Sequence, residues 1–97
     1  MKLHNTDSVY RPLVYINSDV HNATKYRDFV IAKGGIPVST HLLYTTQVPH
    51  FNYVLLGKCD ELWVFALSQS PEIEVAKKRH MRIRYFNADL KEVFDYA

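Results

Sequence analysis

The feature that most constrains this fold is a run of apolar residues that leads straight into a helix start. Residues 62–66 combine aromatic and β-branched side chains with no polar interruption, which is typical of a strand buried on both faces. After this run, Ser70 can cap free backbone N–H groups, Pro71 suits the first helical position, and Glu72 places negative charge in the first turn. In an open α/β sheet, ligands bind where a central strand passes into such a helix.

The composition is that of one ordinary globular domain, which we expect to span residues 1–97. Hydrophobic residues make up 47% and charged residues 23% of the chain, which excludes the disordered and fibrous classes. The formal net charge of +2 is too small by itself to imply a polyanionic partner. No apolar run approaches the roughly 20 residues that span a bilayer. Since the polar N-terminus also lacks the apolar core of a signal peptide, we expect a cytoplasmic protein.

Hydrophobic periodicity and capping residues predict alternating strands and helices. Residues 1–11 show no periodicity and are expected to form a loosely ordered lead-in, and residues 40–50 are expected to form a loop. Because crossovers between parallel strands are right-handed, the order of elements predicts an α/β fold, a three-layer sandwich with a four-stranded parallel sheet in the order 2-1-3-4. The predicted strands cover residues 12–17, 36–39, 62–66 and 81–86, and the predicted helices cover residues 21–33, 51–58, 71–80 and 88–96.

Polar residues near the ends of these elements are first given structural roles. Asp19 or Ser18 is expected to cap the first helix, and Asn87 the last one. Asp60 and Glu61 are expected to cap or solvate the entrance of the central strand. The strand residues Tyr15, Trp63 and Phe65, with Cys59 before the central strand, are expected to belong to the core.

Positive charge is concentrated late in the chain. Residues 77–80 end a predicted helix, where the helix dipole favours cations. Arg82 and Arg84 alternate with apolar residues, as on an edge strand that charge protects from pairing. Since these roles account for the cluster, we expect no nucleic-acid partner. The histidines and Cys59 show no metal-ligand spacing, so no metal site is expected.

The predicted strand order reverses between the first and third strands, so the carboxyl ends of these strands should flank a crevice. The second strand ends on the same rim. For each polar group a purely structural role is the alternative, because acidic residues are common in first helical turns and a lone loop histidine is often structural. The residues expected to contact a ligand are Asn17, Ser18, Asp19, Ser39, His41, Leu67, Ser68, Ser70 and Glu72.

Several of these segments together resemble the nucleoside 2-deoxyribosyltransferase-like superfamily, in particular its small bacterial and phage branch. They are residues 13–18, residues 22–38, His41-Leu42, the block Cys-Asp-Glu-Leu-Trp-Val-Phe at 59–65, and residues 72–74. The resemblance implies a Rossmann-like, flavodoxin-like fold without a cofactor. It also implies a homo-oligomer and cleavage or exchange of the N-glycosidic bond of a deoxynucleoside or its monophosphate. Glu72 stands at the position of the family's nucleophile, and His41 matches a histidine that can contact the sugar or shuttle a proton.

This chain also departs from the family pattern. The loop after the first strand is short, and the residues before Glu72 are Ser68-Gln69-Ser70-Pro71 where the family has glycines. Asn52 stands where monophosphate-cleaving relatives have an aspartate, and an amide cannot exchange a proton near neutral pH. The expected function is therefore a nucleoside- or nucleotide-type site with Glu72 as nucleophile. The alternative is a non-catalytic, phage-type binder that sequesters a nucleotide or an ADP-ribose-type signalling molecule.

Overall fold

A computed structural model describes residues 10–39, 51–66 and 70–94 of the chain. The class is α/β, as predicted. Residues 1–9 of the predicted lead-in and most of the predicted loop, including His41, lie outside the described residues. The elements are β1 (Leu13–Asn17), a 3-10 turn (Val20–Asn22), α1 (Ala23–Ala32), β2 (Ile36–Val38), α2 (Phe51–Gly57), β3 (Glu61–Phe65), α3 (Pro71–Lys78), β4 (Arg82–Phe86) and β5 (Glu92–Val93).

The strands form one mixed sheet in the order β2-β1-β3-β4-β5. β1 pairs in parallel with β2 and β3, and β3 pairs in parallel with β4. β5 adds an antiparallel strand to β4, with Phe86 opposite Glu92. The predicted four-stranded, wholly parallel sheet is therefore wrong in its number of strands and in its purely parallel character. We call the side on which β1 to β4 begin the amino edge, and the side on which they end the carboxyl edge.

In the described part of the predicted last helix, residues 88–94, the structure has a hairpin between β4 and β5 instead. Asn87 does not cap a helix, because its Oδ1 accepts hydrogen bonds from the backbone N–H groups of Asp89 and Lys91, both at 3.0 Å. Leu90 adopts a φ of 64°, which a continuing helix does not allow. Asparagine often offers the backbone such an alternative to a helix. β5 pairs only with the last two residues of β4, so β4 remains an edge strand at Arg82 and Arg84.

The core lies on both faces of the sheet. One face packs against α1 through an aromatic group in which Tyr26 stacks on Phe65 at 4.2 Å between ring centroids. The other face packs against α2 and α3 through Tyr15, Leu62 and aliphatic residues of the two helices. The predicted core residues Tyr15, Trp63 and Phe65 are all buried. The central strands of the sheet are therefore covered by helices on both faces, which explains the continuous apolar run that predicted β3.

α1 and α3 both end at the amino edge in the same kind of backbone motif. After α1, Gly34 takes a φ of 92° and the N–H of Gly35 donates to the carbonyl of Val30 at 3.0 Å. After α3, His80 takes a φ of 59° and the N–H of Met81 donates to the carbonyl of Ala76 at 3.0 Å. This is the Schellman pattern, which satisfies carbonyls that the helix end leaves unpaired. The helices consequently run opposite to the strands, so α1 and α3 begin at the carboxyl edge.

Cys59 is half-buried between α2 and β3, in agreement with its predicted structural role. Burial, reinforced by the negative charge of Asp60, raises the pKa of its thiol to about 11. Within the described ranges, no helix has the length and apolar character needed to cross a membrane. The cytoplasmic location and the homo-oligomer stay predictions.

Candidate functional site

The candidate site lies at the carboxyl edge, where β1 and β3 end beside the start of α3. Glu72 is the second residue of α3, and only 8% of it is exposed. Pro71 occupies the first turn and Glu72 and Glu74 supply its negative charge, as the sequence predicts. A glutamate placed there faces the positive end of the helix dipole, which stabilises its carboxylate.

Two side chains from other elements hold one oxygen of the Glu72 carboxylate. The hydroxyl of Tyr15, on β1, donates to Oε2 at 3.2 Å. The Nδ2 of Asn52, on α2, donates to the same oxygen at 3.2 Å. Among the described residues no donor contacts Oε1. The carboxylate is thus fixed through one oxygen, while the lone pairs of the other are not used by described residues.

A second contact ties the end of β1 to the start of α3. The Nδ2 of Asn17, the last residue of β1, donates to Ser70 Oγ at 2.9 Å. Ser70 occupies the helix N-cap position, but its side chain makes no capping hydrogen bond, so the predicted cap is wrong in this respect. Tyr15 and Asn17 are two residues apart on a strand and therefore share one face. Through that face, Asn17 contacts Ser70 and Tyr15 contacts Glu72.

The remaining predicted site residues have mainly local contacts or lie outside the described ranges. Asp19 accepts hydrogen bonds from the backbone and side-chain amides of Asn22 at 3.2 and 3.0 Å, so it caps the 3-10 turn that leads into α1. α1 itself, with Asn22 at its N-cap position, has no side-chain capping hydrogen bond. Ser18 donates to the carbonyl of Asp19 at 3.0 Å. Ser39 is buried just after β2, at the same edge. His41, Leu67 and Ser68 lie outside the described residues.

The turn after β3 has an unusual backbone. Ala66 follows β3 directly and adopts a φ of 54° in the left-handed region. A residue with a Cβ is strained there, and such residues concentrate at sites that hold ligands. The N–H of Ala66 donates to the carbonyl of Phe86 at 2.9 Å, which fixes this turn to the neighbouring strand. The chain therefore turns sharply at the end of β3.

A second buried carboxylate, which the sequence analysis missed, lies at the opposite end of β3. Glu61 is only 2% exposed and accepts hydrogen bonds from Trp63 Nε1 at 2.9 Å and from the Tyr10 hydroxyl at 3.0 Å. Its Oε2 also lies 4.0 Å from an Arg82 nitrogen. The prediction that Glu61 solvates the entrance of the central strand is wrong. Exposed Asp60, which precedes that strand, accepts the N–H of Leu13 at 2.8 Å and so caps the start of the neighbouring strand β1.

Two signals in the sequence could have found these missed contacts. Glu61 and Trp63 are two residues apart on a strand, so they share a face and can pair locally. Tyr15 was interpreted as core only, but its alternation with polar Asn17 marks a face that turns polar toward the carboxyl edge. Within the described ranges, no group of three or more His, Cys, Asp or Glu side chains is arranged to hold a metal ion.

Comparison with known proteins gives one family. The model of a family described as "Domain of unknown function (DUF7768)" matches residues 8–86, which include every element from β1 to β4. No curated protein and no solved structure matches the chain.

Proposed function

The chain belongs to the family described as a domain of unknown function (DUF7768), and we propose that it binds a nucleoside- or nucleotide-type, ribose-bearing small molecule at the carboxyl edge. Glu72 is the reacting group of this proposal, and Asn17 and Ser70 border the site. The reaction class is cleavage or exchange of an N-glycosidic bond. The resemblance described above to the nucleoside 2-deoxyribosyltransferase-like superfamily supports this class.

The observation that carries the proposal is the one-sided hydrogen bonding of Glu72. A buried carboxylate normally has its oxygens satisfied by donors. Here Tyr15 and Asn52 both donate to Oε2, and no described residue donates to Oε1. This arrangement suits a nucleophile, since the carboxylate is oriented through one oxygen while the other can attack. The site also lies where α/β sheets bind ligands, outside the carboxyl ends of β1 and β3.

The proposed step is a displacement at the anomeric carbon. Oε1 of Glu72 forms a bond to C1′ of the sugar while the bond from C1′ to the base nitrogen breaks, and the electron pair of that bond leaves with the base. A purine or pyrimidine that is neutral in the nucleoside leaves as an anion and takes up a proton from water. Attack of water, or of a second base, on the glycosyl ester regenerates the Glu72 carboxylate.

A second candidate function is binding without turnover, and Asn52 favours it. The group that contacts Glu72 from α2 is an amide, which donates a hydrogen bond but cannot supply a proton to a leaving base. In this case the same site would hold a nucleotide or an ADP-ribose-type molecule intact. The two candidates share a ligand class and differ in whether the C1′ to nitrogen bond breaks.

Ligand binding is tested first with a thermal-shift panel of nucleosides, mononucleotides, dinucleotides and ADP-ribose-type compounds. A ligand present at about 100 times its dissociation constant adds about 2.7 kcal/mol to the free energy of unfolding. The binding proposal predicts such a shift for at least one ribose-bearing compound. If no compound shifts the transition, both candidate functions are wrong.

Release of free base then separates the two candidates. The substrates include neutral-base deoxynucleosides and a pyridinium nucleoside, whose base is cationic in the glycosidic bond and leaves without a proton. Catalysis predicts base release by the wild type, at least from the pyridinium compound, and none by Glu72→Gln. Asn52→Asp, which supplies a carboxyl group in place of the amide, is expected to extend release to neutral bases. Recovery of intact ligand from wild type, Glu72→Gln and Asn52→Asp would establish the binder.

A further inference from the structure

The amino edge carries exposed cations that come from separate parts of the sequence. Lys33 follows α1, Lys58 follows α2, Lys78 and Arg79 end α3, and Arg11 precedes β1. All five residues are exposed. Within the described ranges none of them forms an ion pair with a carboxylate. Each of the three α-helices in the described part of the chain is thus followed by, or ends with, a cation at one edge of the sheet.

The topology places the backbone positions of these residues along one line, although the Lys33 ammonium itself lies over the Phe29 ring, 5.5 Å from its centroid. The strands that follow them start side by side, with Leu13 opposite Ile36 and Glu61 opposite Arg82. Neighbouring strands are about 4.8 Å apart, so the four strand starts span about 14 Å. The ends of α2 and α3 also touch, because a Cβ on Gly57 would collide with the guanidinium of Arg79. A row of this length can contact several successive phosphates of one nucleic-acid strand.

The charge of this edge contrasts with that of the remaining surface. Counting Lys77 and Arg82 as well, the edge has seven Lys and Arg residues against Asp60 and Glu61, whereas the rest of the described chain has four against six carboxylates. The partial negative charge at each of the three helix C-termini offsets about half a positive charge, and the edge is still strongly positive. The edge therefore has the potential that attracts a polyanion.

An exposed aromatic ring lies among these cations. Tyr10 is 65% exposed, yet its hydroxyl is fixed by a hydrogen bond to Glu61 Oε2 at 3.0 Å. That hydrogen bond raises the pKa of Tyr10, so the hydroxyl remains a donor at neutral pH. The next residue is Arg11, and Arg82 approaches the same carboxylate oxygen at 4.0 Å. Unpaired bases stack on exposed aromatic rings that lie next to cations, and Tyr10 with its neighbours has this arrangement.

We propose that the amino edge binds single-stranded nucleic acid, with its phosphates on the cations that end the helices and a base stacked on Tyr10. The exposed ring of Tyr10 favours single-stranded over double-stranded nucleic acid, because a base must be unpaired to stack on it. This inference revises the expectation of no nucleic-acid partner. In the sequence, each cation of residues 77–84 has a structural role in its own helix or strand. Arg11, Lys33 and Lys58 lie elsewhere in the chain, and only the fold brings them to the same edge.

Fluorescence anisotropy with a labelled 12-nucleotide single strand, at 50 mM salt and then at increasing salt, tests this inference. Lys58→Gln/Lys78→Gln removes two edge charges and is expected to weaken binding at least tenfold and to lower the salt slope by about 1.4. Lys25→Gln/Lys91→Gln removes the same charge at the other end of the molecule. This matched control is expected to bind within about threefold of the wild type.

The aromatic contact is tested separately with the same strand. Tyr10→Leu is expected to weaken binding by about fivefold to a hundredfold, and Tyr10→Phe, which keeps the ring, is expected to weaken it less. The inference is wrong if the wild type does not bind the strand at 50 mM salt, or if the edge variant and the matched control lose the same affinity. Binding to vesicles with anionic lipid but not to the strand would also overturn it.

Discussion

The two buried glutamates of this protein, Glu61 and Glu72, differ in how their carboxylates are satisfied. Glu61 receives a donor on each oxygen, from Trp63 and from Tyr10, and has Arg82 nearby. Glu72 receives both of its described donors on one oxygen. Both residues are nearly inaccessible, so burial alone does not distinguish them.

The difference assigns them different roles. A carboxylate whose two oxygens are paired stabilises the fold, and its loss leaves buried donors without partners. A carboxylate held through one oxygen keeps reactive lone pairs on the other, at some cost to stability. We therefore expect substitutions of Glu61 to change the free energy of unfolding, and substitutions of Glu72 to change what the carboxyl edge does to a ligand.

The largest expected effect on stability comes from Glu61→Leu. This change leaves the buried N–H of Trp63 without an acceptor, which costs about 2–3 kcal/mol of the free energy of unfolding. Urea unfolding monitored by tryptophan fluorescence measures it. Glu61→Gln keeps an oxygen for Trp63 and is the matched control, expected to lose less. An equal loss in both variants would show that the hydrogen bond to Trp63 is not what Glu61 contributes.

Tyr15→Phe is expected to have a smaller effect, about 1 kcal/mol, because it removes a hydrogen bond to Glu72 and keeps the ring in the core. The same variant should bind the ligand of the carboxyl edge more weakly, since Asn52 is then the one donor among the described residues that orients Glu72. Urea unfolding and the ligand-induced shift are measured together. A change in stability with unaltered ligand affinity would remove Tyr15 from the proposed site.

Glu92→Gln shows what an exposed ion pair contributes. Glu92 accepts two hydrogen bonds from Arg84 at 2.9 and 2.7 Å, and these hold its pKa below the ordinary value. Since 43% of its side chain is exposed, the pair adds only about 0.5 kcal/mol at neutral pH. A lowered folded-state pKa stabilises the fold above the unfolded-state value of about 4.3, and this contribution is lost as the pH falls through the folded-state pKa.

The free energies of unfolding of wild type and Glu92→Gln are measured at pH values from 7 to 3. The difference between the two proteins should shrink as the pH falls. A difference that grows toward acid pH would contradict the assigned sign.

Glu72→Gln is also expected to have only a small effect on stability. The amide oxygen can still accept from Tyr15 and Asn52, so only the favourable interaction with the helix dipole is lost, which is less than about 1 kcal/mol. Urea unfolding measures this change. A loss as large as that of Glu61→Leu would mean that Glu72 is also a structural carboxylate, and the comparison between the two glutamates would fail.

The sequence predicted the junction between β3 and α3 well because its signals are local. The apolar run, Pro71 and the acidic first turn all lie within a dozen residues. The wrong last helix also has a local cause, since Asn87 bonds to the backbone two and four residues later, and helix periodicity does not register such a turn.

The site contacts were harder to predict because they join distant residues. Tyr15 and Glu72 are 57 residues apart, and Tyr10 and Glu61 are 51 apart. Which oxygen of Glu72 receives a donor depends on the placement of three separate elements, β1, α2 and α3. The sequence pattern predicts where the strand ends and where the helix begins, but it does not predict how their side chains are arranged relative to one another.

The central claim is that the carboxyl edge, with Glu72, binds the ligand and that Glu61 belongs to the structural frame. The most direct test is a two-dimensional amide NMR titration with the ribose-bearing compound that gives the largest thermal shift. The account predicts concentration-dependent shifts of the backbone amides of Asn17, Ala66 and Glu72, with those of Glu61 and Arg82 unchanged. Shifts confined to Glu61 and Arg82, or no shift at millimolar ligand, would contradict it.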